Sequence, residues 1–190
     1  MPKFAYAEEV LDIPDNVDVT MDGKKVTVKG PKGTITKDYT HARVVTLTMQ
    51  DKKITCSIFF PKKQERSMLR TVIGHIENQI LGVTEGFTYK AKIVYAHFPM
   101  SVEVQGQAIL VKNFIGERGS RVTHKAGDVD VKVTKEDVII SGIDKDAVAQ
   151  TAANLKLICK IKKKDPRIFQ DGIYVYEKLV GAKVSWEIKV

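Results

Sequence analysis

The strongest constraint on this chain is an internal repeat. Val17-Asp18-Val19 recurs 85 residues later as Val102-Glu103-Val104, and Lys52 to Cys56 recurs 84 residues later as Glu136 to Ile140. Between these anchors, Val26 to Lys29 is echoed by Ile109 to Lys112, and Gly30-Pro31-Lys32-Gly33 by Gly116-Glu117-Arg118-Gly119. Similar segments in the same order at the same offset imply one supersecondary plan used twice.

Each copy is built from short alternating runs and closes with a helix. Val17, Val19 and Met21, then Val26 and Val28, then Val45, Leu47 and Met49 each alternate with polar residues, the period of a half-buried strand. Thr34 to Tyr39 and Ile54 to Phe60 read as two further strands, and residues 1–15 as a partly extended lead-in. From Glu65 the period changes. Met68, Leu69, Val72, Ile73, Ile76 and Ile80 recur at three- and four-residue steps and form one apolar stripe, with Arg66, Arg70, Glu77 and Asn78 largely on the other side. Gly82 stands where a left-handed C-cap is expected, and Gly86 in the turn that follows. Tyr89 to Pro99 is extended and opens the second copy. There Asp144 is an N-cap for a helix from Lys145 to about Ile161, whose buried stripe is Ala147, Val148, Thr151, Ala152, Leu155 and Ile158. The expected fold class is α+β, two duplicated domains, each an antiparallel sheet packed against a helix. Residues 1–82 form the first repeat with its lead-in, residues 83–175 the second, and residues 176–190 a C-terminal tail in which Val184, Trp186 and Ile188 alternate like an extra strand.

Several function classes find no support. No apolar run reaches the ~18–20 residues of a membrane span, and Met1 to Glu9 carries acids and no signal-peptide pattern. Cys56 and Cys159 are too few for a disulfide framework, lack metal-ligand spacing and read as buried free thiols of a reduced, intracellular protein. His41, His75, His97 and His124 fall in different elements, with no paired acid at ligand or triad spacing. Ser57 and Ser141 lack the glycines of a nucleophile elbow, and no phosphate-binding or dinucleotide loop is present. No catalytic set, metal site or cofactor is therefore expected. Gly30-Pro31-Lys32-Gly33 superficially suits a loop that clamps an RNA backbone, but such a loop joins helices. Here both flanks alternate at period two, so it reads as a hairpin turn, with Lys32 still able to touch a phosphate.

Charge points elsewhere. The net charge of +8 and pI near 9.3 favour a polyanionic partner. The densest basic segment holds Lys156, Lys160, Lys162, Lys163, Lys164 and Arg167 against one acid, Asp165, and is followed by Phe169, Tyr174 and Tyr176. Cations suit a helix C-terminus, yet three consecutive lysines beyond the apolar stripe exceed that need. Contact with nucleic acid phosphates is the reading that accounts for them. Lys112, Arg118, Arg121, His124 and Lys125 gather around the second glycine turn. Lys62, Lys63, Arg66 and Arg70 form a smaller group at the start of the first helix, either its wet face or a secondary RNA contact.

Several stretches together resemble a known family, ribosomal large-subunit protein six (protein nine in older eukaryotic naming). They are Val28 to Gly33, Arg70 to Asn78, Gly82-Val83-Thr84, Gly86-Phe87, Tyr95-Ala96-His97-Phe98-Pro99, Asn113 to Glu117, Lys164-Asp165, Arg167, Phe169, and Asp171 to Val175. The Tyr-Ala-His-Phe-Pro and Asp-Gly-Ile-Tyr-Val runs look like its eukaryotic and archaeal branch. The resemblance implies a non-catalytic structural constituent of the cytoplasmic large ribosomal subunit, bound to large-subunit ribosomal RNA chiefly through the second domain. It places that contact near the sarcin–ricin loop and the docking region of translational GTPases. Neighbouring ribosomal proteins would be further partners, with nucleolar transit during assembly if the source is eukaryotic. Carried onto this sequence, Asn113 to Lys125 and Lys160 to Tyr174 become the expected RNA contacts, in agreement with the charge clustering. The segment after Val175 lacks a clear family pattern, and Trp186 either packs or stacks on a base. The rival reading is a free RNA-binding regulator outside the ribosome.

Overall fold

The computed structural model describes residues 5–162, 164–165 and 167–188. The chain divides into two compact units, Met1–Glu85 and Gly86–Val190.

In the first unit, β1 (Tyr6–Asp12), β2 (Asp18–Asp22), β3 (Lys25–Gly30), β4 (Gly33–Asp38), β5 (Thr46–Gln50) and β6 (Lys53–Phe59) precede helix α1 (Lys63–Thr84). The strands form two antiparallel sheets, in the orders β1-β6-β5 and β2-β3-β4, and α1 packs against both. The lead-in is thus a true strand over Tyr6–Asp12, paired along its length with β6. Leu69, Val72, Ile73, Ile76 and Ile80 are buried as the periodicity predicts, Met68 is half-buried, and Val83, beyond the expected helix end, joins the same face. The Glu65 carboxylate accepts the Lys62 N–H at 2.7 Å and satisfies one of the unpaired donors at the helix start.

The helix end differs from expectation. Gly82 remains helical and buried, α1 runs on to Thr84, and the left-handed residue is Gly86 at φ 74°. Thr84 sustains the last turn by donating its hydroxyl to the Ile80 carbonyl at 2.9 Å, and the Glu85 N–H reaches Leu81 O at 2.8 Å. The glycine turn of the first unit is the hairpin between β3 and β4, with Gly30 opposite Gly33. Lys32 is occupied: its N–H donates to Val83 O at 2.9 Å and its ammonium to the Glu85 carbonyl, so it caps α1.

The second unit repeats the plan and extends it. Strands β7 (Phe87–Val94), β8 (Ser101–Gln105), β9 (Ala108–Lys112), β10 (Arg121–His124), β11 (Asp130–Val133) and β12 (Asp137–Gly142) precede α2 (Lys145–Ile158). The meander β8-β9-β10 matches β2-β3-β4, and β11-β12-β7 matches β5-β6-β1. Two strands have no counterpart among the described residues of the first unit. They are β13 (Gly172–Val180), which lies on the open side of β7, and β14 (Lys183–Glu187), which pairs with β13. The segment set apart as a tail therefore completes a five-stranded sheet. The core gathers Phe87, Ala91, Ile109, Val111, Phe114, Val138, Ile140, Val148, Leu155 and Ile173. Asp144 caps α2 as expected, its carboxylate accepting the Asp146 N–H at 3.1 Å.

Gly30 leaves no room for a side chain. A Cβ there would lie 2.6 Å from Val83 Cγ2 and 3.0 Å from Val83 O, both on the fully buried end of α1. Gly30→Ala is expected to cost ~1–3 kcal/mol of overpacking, read as a thermal midpoint lowered by several degrees in circular-dichroism melts. An unchanged midpoint would show that α1 can yield.

Candidate nucleic-acid interface

The basic segment hangs from the end of α2. The helix stops at Ile158, short of the Ile161 expected for its end, where a side chain from another element takes the Ile158 carbonyl. Arg121, first residue of β10, donates Nη1 to Ile158 O at 2.5 Å and to Lys160 O at 3.4 Å. Its Nε and Nη2 hold the two oxygens of Glu117 at 2.8 and 2.6 Å, and its guanidinium lies 4.2 Å from the Phe114 ring centroid. Such a bidentate, stacked arrangement suits arginine and not lysine. The hydrogen bond from Arg121 pulls the Glu117 carboxyl below its ordinary range, outweighing partial burial, with Lys164 adding to the field.

A second fastening holds the far end of the segment. Asp171 is only 2% exposed, and its Oδ1 accepts the N–H groups of Ala96 at 2.7 Å and His97 at 3.3 Å. Its Oδ2 meets His97 Nδ1 at 3.0 Å, and the His97 ring stacks on Phe169 with centroids 4.5 Å apart. This is also why β7 ends at Val94: the backbone beyond turns to present two N–H groups to the carboxylate. Burial alone would push the Asp171 carboxyl up. The bonds from Ala96 and from the ring and backbone of His97 reverse that and hold it below the usual carboxylate range. The pair joins residues 74 apart in sequence, an acid partner that no local spacing discloses.

Between the two fastenings lies a cleft of about 450 Å³ beside the C-terminal end of α2 and the first residues of β13. Leu157, Cys159, Ile161, Phe169 and Ile173 give it an apolar lining, and Lys156, Lys160, Lys164 and Tyr174 complete the wall. Lys164 holds its ammonium 4.4 Å from the Phe169 centroid. Burial pushes the Cys159 thiol up to about 11, so it lines the cleft as a small apolar group and not as a thiolate.

The structure thus brings together Lys156, Lys160, Lys164 and Tyr174, drawn from two ends of the basic segment. Lys162 is exposed nearby in sequence, Arg167 is exposed but holds Asp165 at 3.0 Å, and Lys163 lies outside the described residues. The group around the second glycine turn is differently used. Lys112 pairs with Glu103 at 2.6 Å, Asn113 bonds Pro99 O at 2.9 Å, Lys125 is half-buried, and Arg118 is exposed to solvent. Arg121 is turned inward as described. Lys62, Lys63, Arg66 and Arg70 belong to the other unit, where Arg70 is tied to Glu77 at 3.0 Å and Glu9 at 3.4 Å. Glu117, His97 and Asp171 shape the site without having been singled out for it by charge or spacing. Among the described residues no cluster of potential metal ligands forms, and no helix is long and apolar enough to cross a membrane.

The pattern of one protein family, ribosomal protein L6, matches residues 13–86 and 98–172, one segment in each unit. The chain belongs to the ribosomal protein L6 family. Similar chains include the large ribosomal subunit protein uL6 of Aeropyrum pernix, 44% identical over 96% of this chain and 100% of that protein. Those of Staphylothermus marinus and Methanosphaera stadtmanae are 45% and 48% identical, covering 93% and 94% of this chain and 97% of each relative. Membership makes this a structural ribosomal protein and not an enzyme. The L6 match ends at Gly172, so it includes the Asp171 fastening but not β14.

The Asp171 fastening should respond to acid. Because the folded carboxyl titrates below its ordinary value of 3.8, its contribution is fully present above that pH and is lost as pH falls through the depressed value. In melts of wild type and Asp171→Asn, the stability gap is expected to be constant above about pH 5 and to close on the acid side of about pH 4. A gap that persists at about pH 2 would mean that the charge of the carboxylate is not what stabilises.

Proposed function

We propose that this protein is a structural constituent of the large ribosomal subunit and binds large-subunit ribosomal RNA through the lysine-walled cleft of its second unit. The observation that carries this reading is the convergence of Lys156, Lys160, Lys164 and Tyr174 on one cleft whose sole carboxylate, Asp171, is buried and already bonded. A surface so composed attracts phosphate and repels little of it. The lysines displace condensed counterions, and the fastened loop holds them in register without a folding cost at binding. Arg118 and Lys162 extend the cationic surface. Lys112 and Asn113 serve the turn beside it, and Lys62 and Lys63 offer a secondary contact on the first unit. Neighbouring ribosomal proteins are partners in the same assembly, and the relatives' name, large ribosomal subunit protein uL6, supports this placement. The family resemblance supports a finer one, beside the sarcin–ricin loop and the docking region of translational GTPases, on the cytoplasmic ribosome.

Arg121 takes a different role in this proposal. Four of the five N–H groups an arginine carries are engaged within the protein, by Glu117, Ile158 and Lys160. It positions the lysines and does not touch phosphate itself.

Two measurements test the reading. Sedimentation of tagged protein from lysate through a sucrose gradient is expected to place it stoichiometrically in the large-subunit and monosome fractions after a high-salt wash. Protein found only at the top of the gradient would instead favour a free RNA-binding regulator. In filter binding to large-subunit RNA, Lys160→Ala with Lys164→Ala should weaken affinity and flatten its salt dependence by ~0.7–0.9 for each phosphate left without its lysine. Arg121→Ala should weaken affinity with the slope kept; a flattened slope would mean that Arg121 neutralises a phosphate.

A further inference from the structure

Tyr174 is fixed in a way that binding to RNA phosphates does not require. Its hydroxyl donates to Gln170 O at 3.2 Å, and its ring lies against the backbone of Gly172, where an added Cβ would stand 3.1 Å from the ring edge. Tyr174 is nonetheless 43% exposed. An aromatic ring supported by a glycine, tied at its tip and still open to solvent is a prepared surface of low conformational entropy. It forms part of the wall of the 450 Å³ cleft, a volume within the ~300–1,000 Å³ of small-ligand sites. Leu157, at the last turn of α2 and 63% exposed, is an apolar wall residue that solvation alone does not explain.

We propose that the open part of the Tyr174 ring is a stacking platform for one unpaired base of the bound RNA, seated in this cleft with its flanking phosphates on Lys160 and Lys164. The inference rests on the RNA-binding reading and adds the class of ligand to it. The lysines select a polyanion, while the apolar lining would be wasted on phosphate and suits the flat, weakly polar faces of a base. A base inside a duplex has both faces covered by its neighbours, so only an unstacked one can present a face to the ring. An apolar peptide would satisfy the lining but leave three ammonium groups without counter-charge. Gly172 is then part of the binding device: with no side chain of its own, it lets the ring sit closer to the backbone than a Cβ would allow without a small shift.

Binding of full-length protein to large-subunit ribosomal RNA, measured across salt concentration, tests this with three variants. Tyr174→Ala is expected to weaken binding roughly tenfold, within the range of base–aromatic stacking, with the salt slope unchanged because every phosphate keeps its lysine. Tyr174→Phe, which keeps the ring, should bind within about threefold of wild type, since only one neutral hydrogen bond is removed. Gly172→Ala, which alters no side chain facing the RNA, should shift the ring by a few tenths of an ångström and weaken binding by less than Tyr174→Ala does, with the salt slope unchanged. Ultraviolet cross-linking of the wild-type complex followed by mass spectrometry should place a nucleotide adduct on Tyr174, at a position that chemical probing of the RNA shows to be unpaired. Unchanged affinity of folded Tyr174→Ala would overturn the platform, as would weakened binding accompanied by a flatter slope, or an adduct to a paired base. Failure of the wild-type protein to bind the RNA would instead overturn the RNA-binding reading on which the platform rests.

Discussion

The carboxylate of Asp171 is the point on which the lysine-walled cleft of the second unit depends. It is buried, and a buried charge is tolerable only when its lone pairs are met. Here two backbone N–H groups from Ala96 and His97 and the His97 ring meet them. Those bonds join the end of β7 to the start of β13 and set His97 against Phe169. Without them Phe169 would lose the ring it stacks on, and Lys164 the fixed aromatic face it rests against. Arg121 provides the complementary attachment, meeting the last carbonyl of α2, that of Ile158.

Cations in this protein do two kinds of work, and pairing separates them. Arg121, Lys32 and Lys112 are engaged with carbonyls or carboxylates of their own unit and serve the fold. Lys156 and Lys160 stand exposed beside the cleft. The net charge of +8 counts all of these alike, so overall basicity overstates the surface available to a polyanion. What matters is the subset whose attraction remains unspent after folding.

Much of the architecture was legible in the sequence because it is local. The stripe from Leu69 to Ile80, the Asp144 cap and the alternation in β2 and β3 follow from periodicity and capping, and the duplication follows from the repeat itself. The lysine cluster was visible as well. Less accessible was anything decided by distant partners. Arg118 and Arg121 stand three residues apart and look alike in sequence, yet one is solvated and the other locked beneath the end of α2. The Asp171–His97 pair spans 74 residues. Gly82 carried a plausible stop signal, but Thr84 and Glu85 continue the helical bonding past it and leave the reversal to Gly86. Helix ends are settled by which carbonyls find donors, and those donors come from tertiary structure.

The two units also differ in which strands are left at the edges of their sheets. Strand β1 is an edge of its sheet, whereas its counterpart β7 is flanked on both sides because β13 and β14 have been added. Gly172 and Tyr174, which line the cleft, belong to that addition, and Asp171 directly precedes it. The added strands cover the edge of β7 and move the open edge on that side out to β14, whereas in the first unit β1 itself presents unpaired backbone groups as a template for another strand.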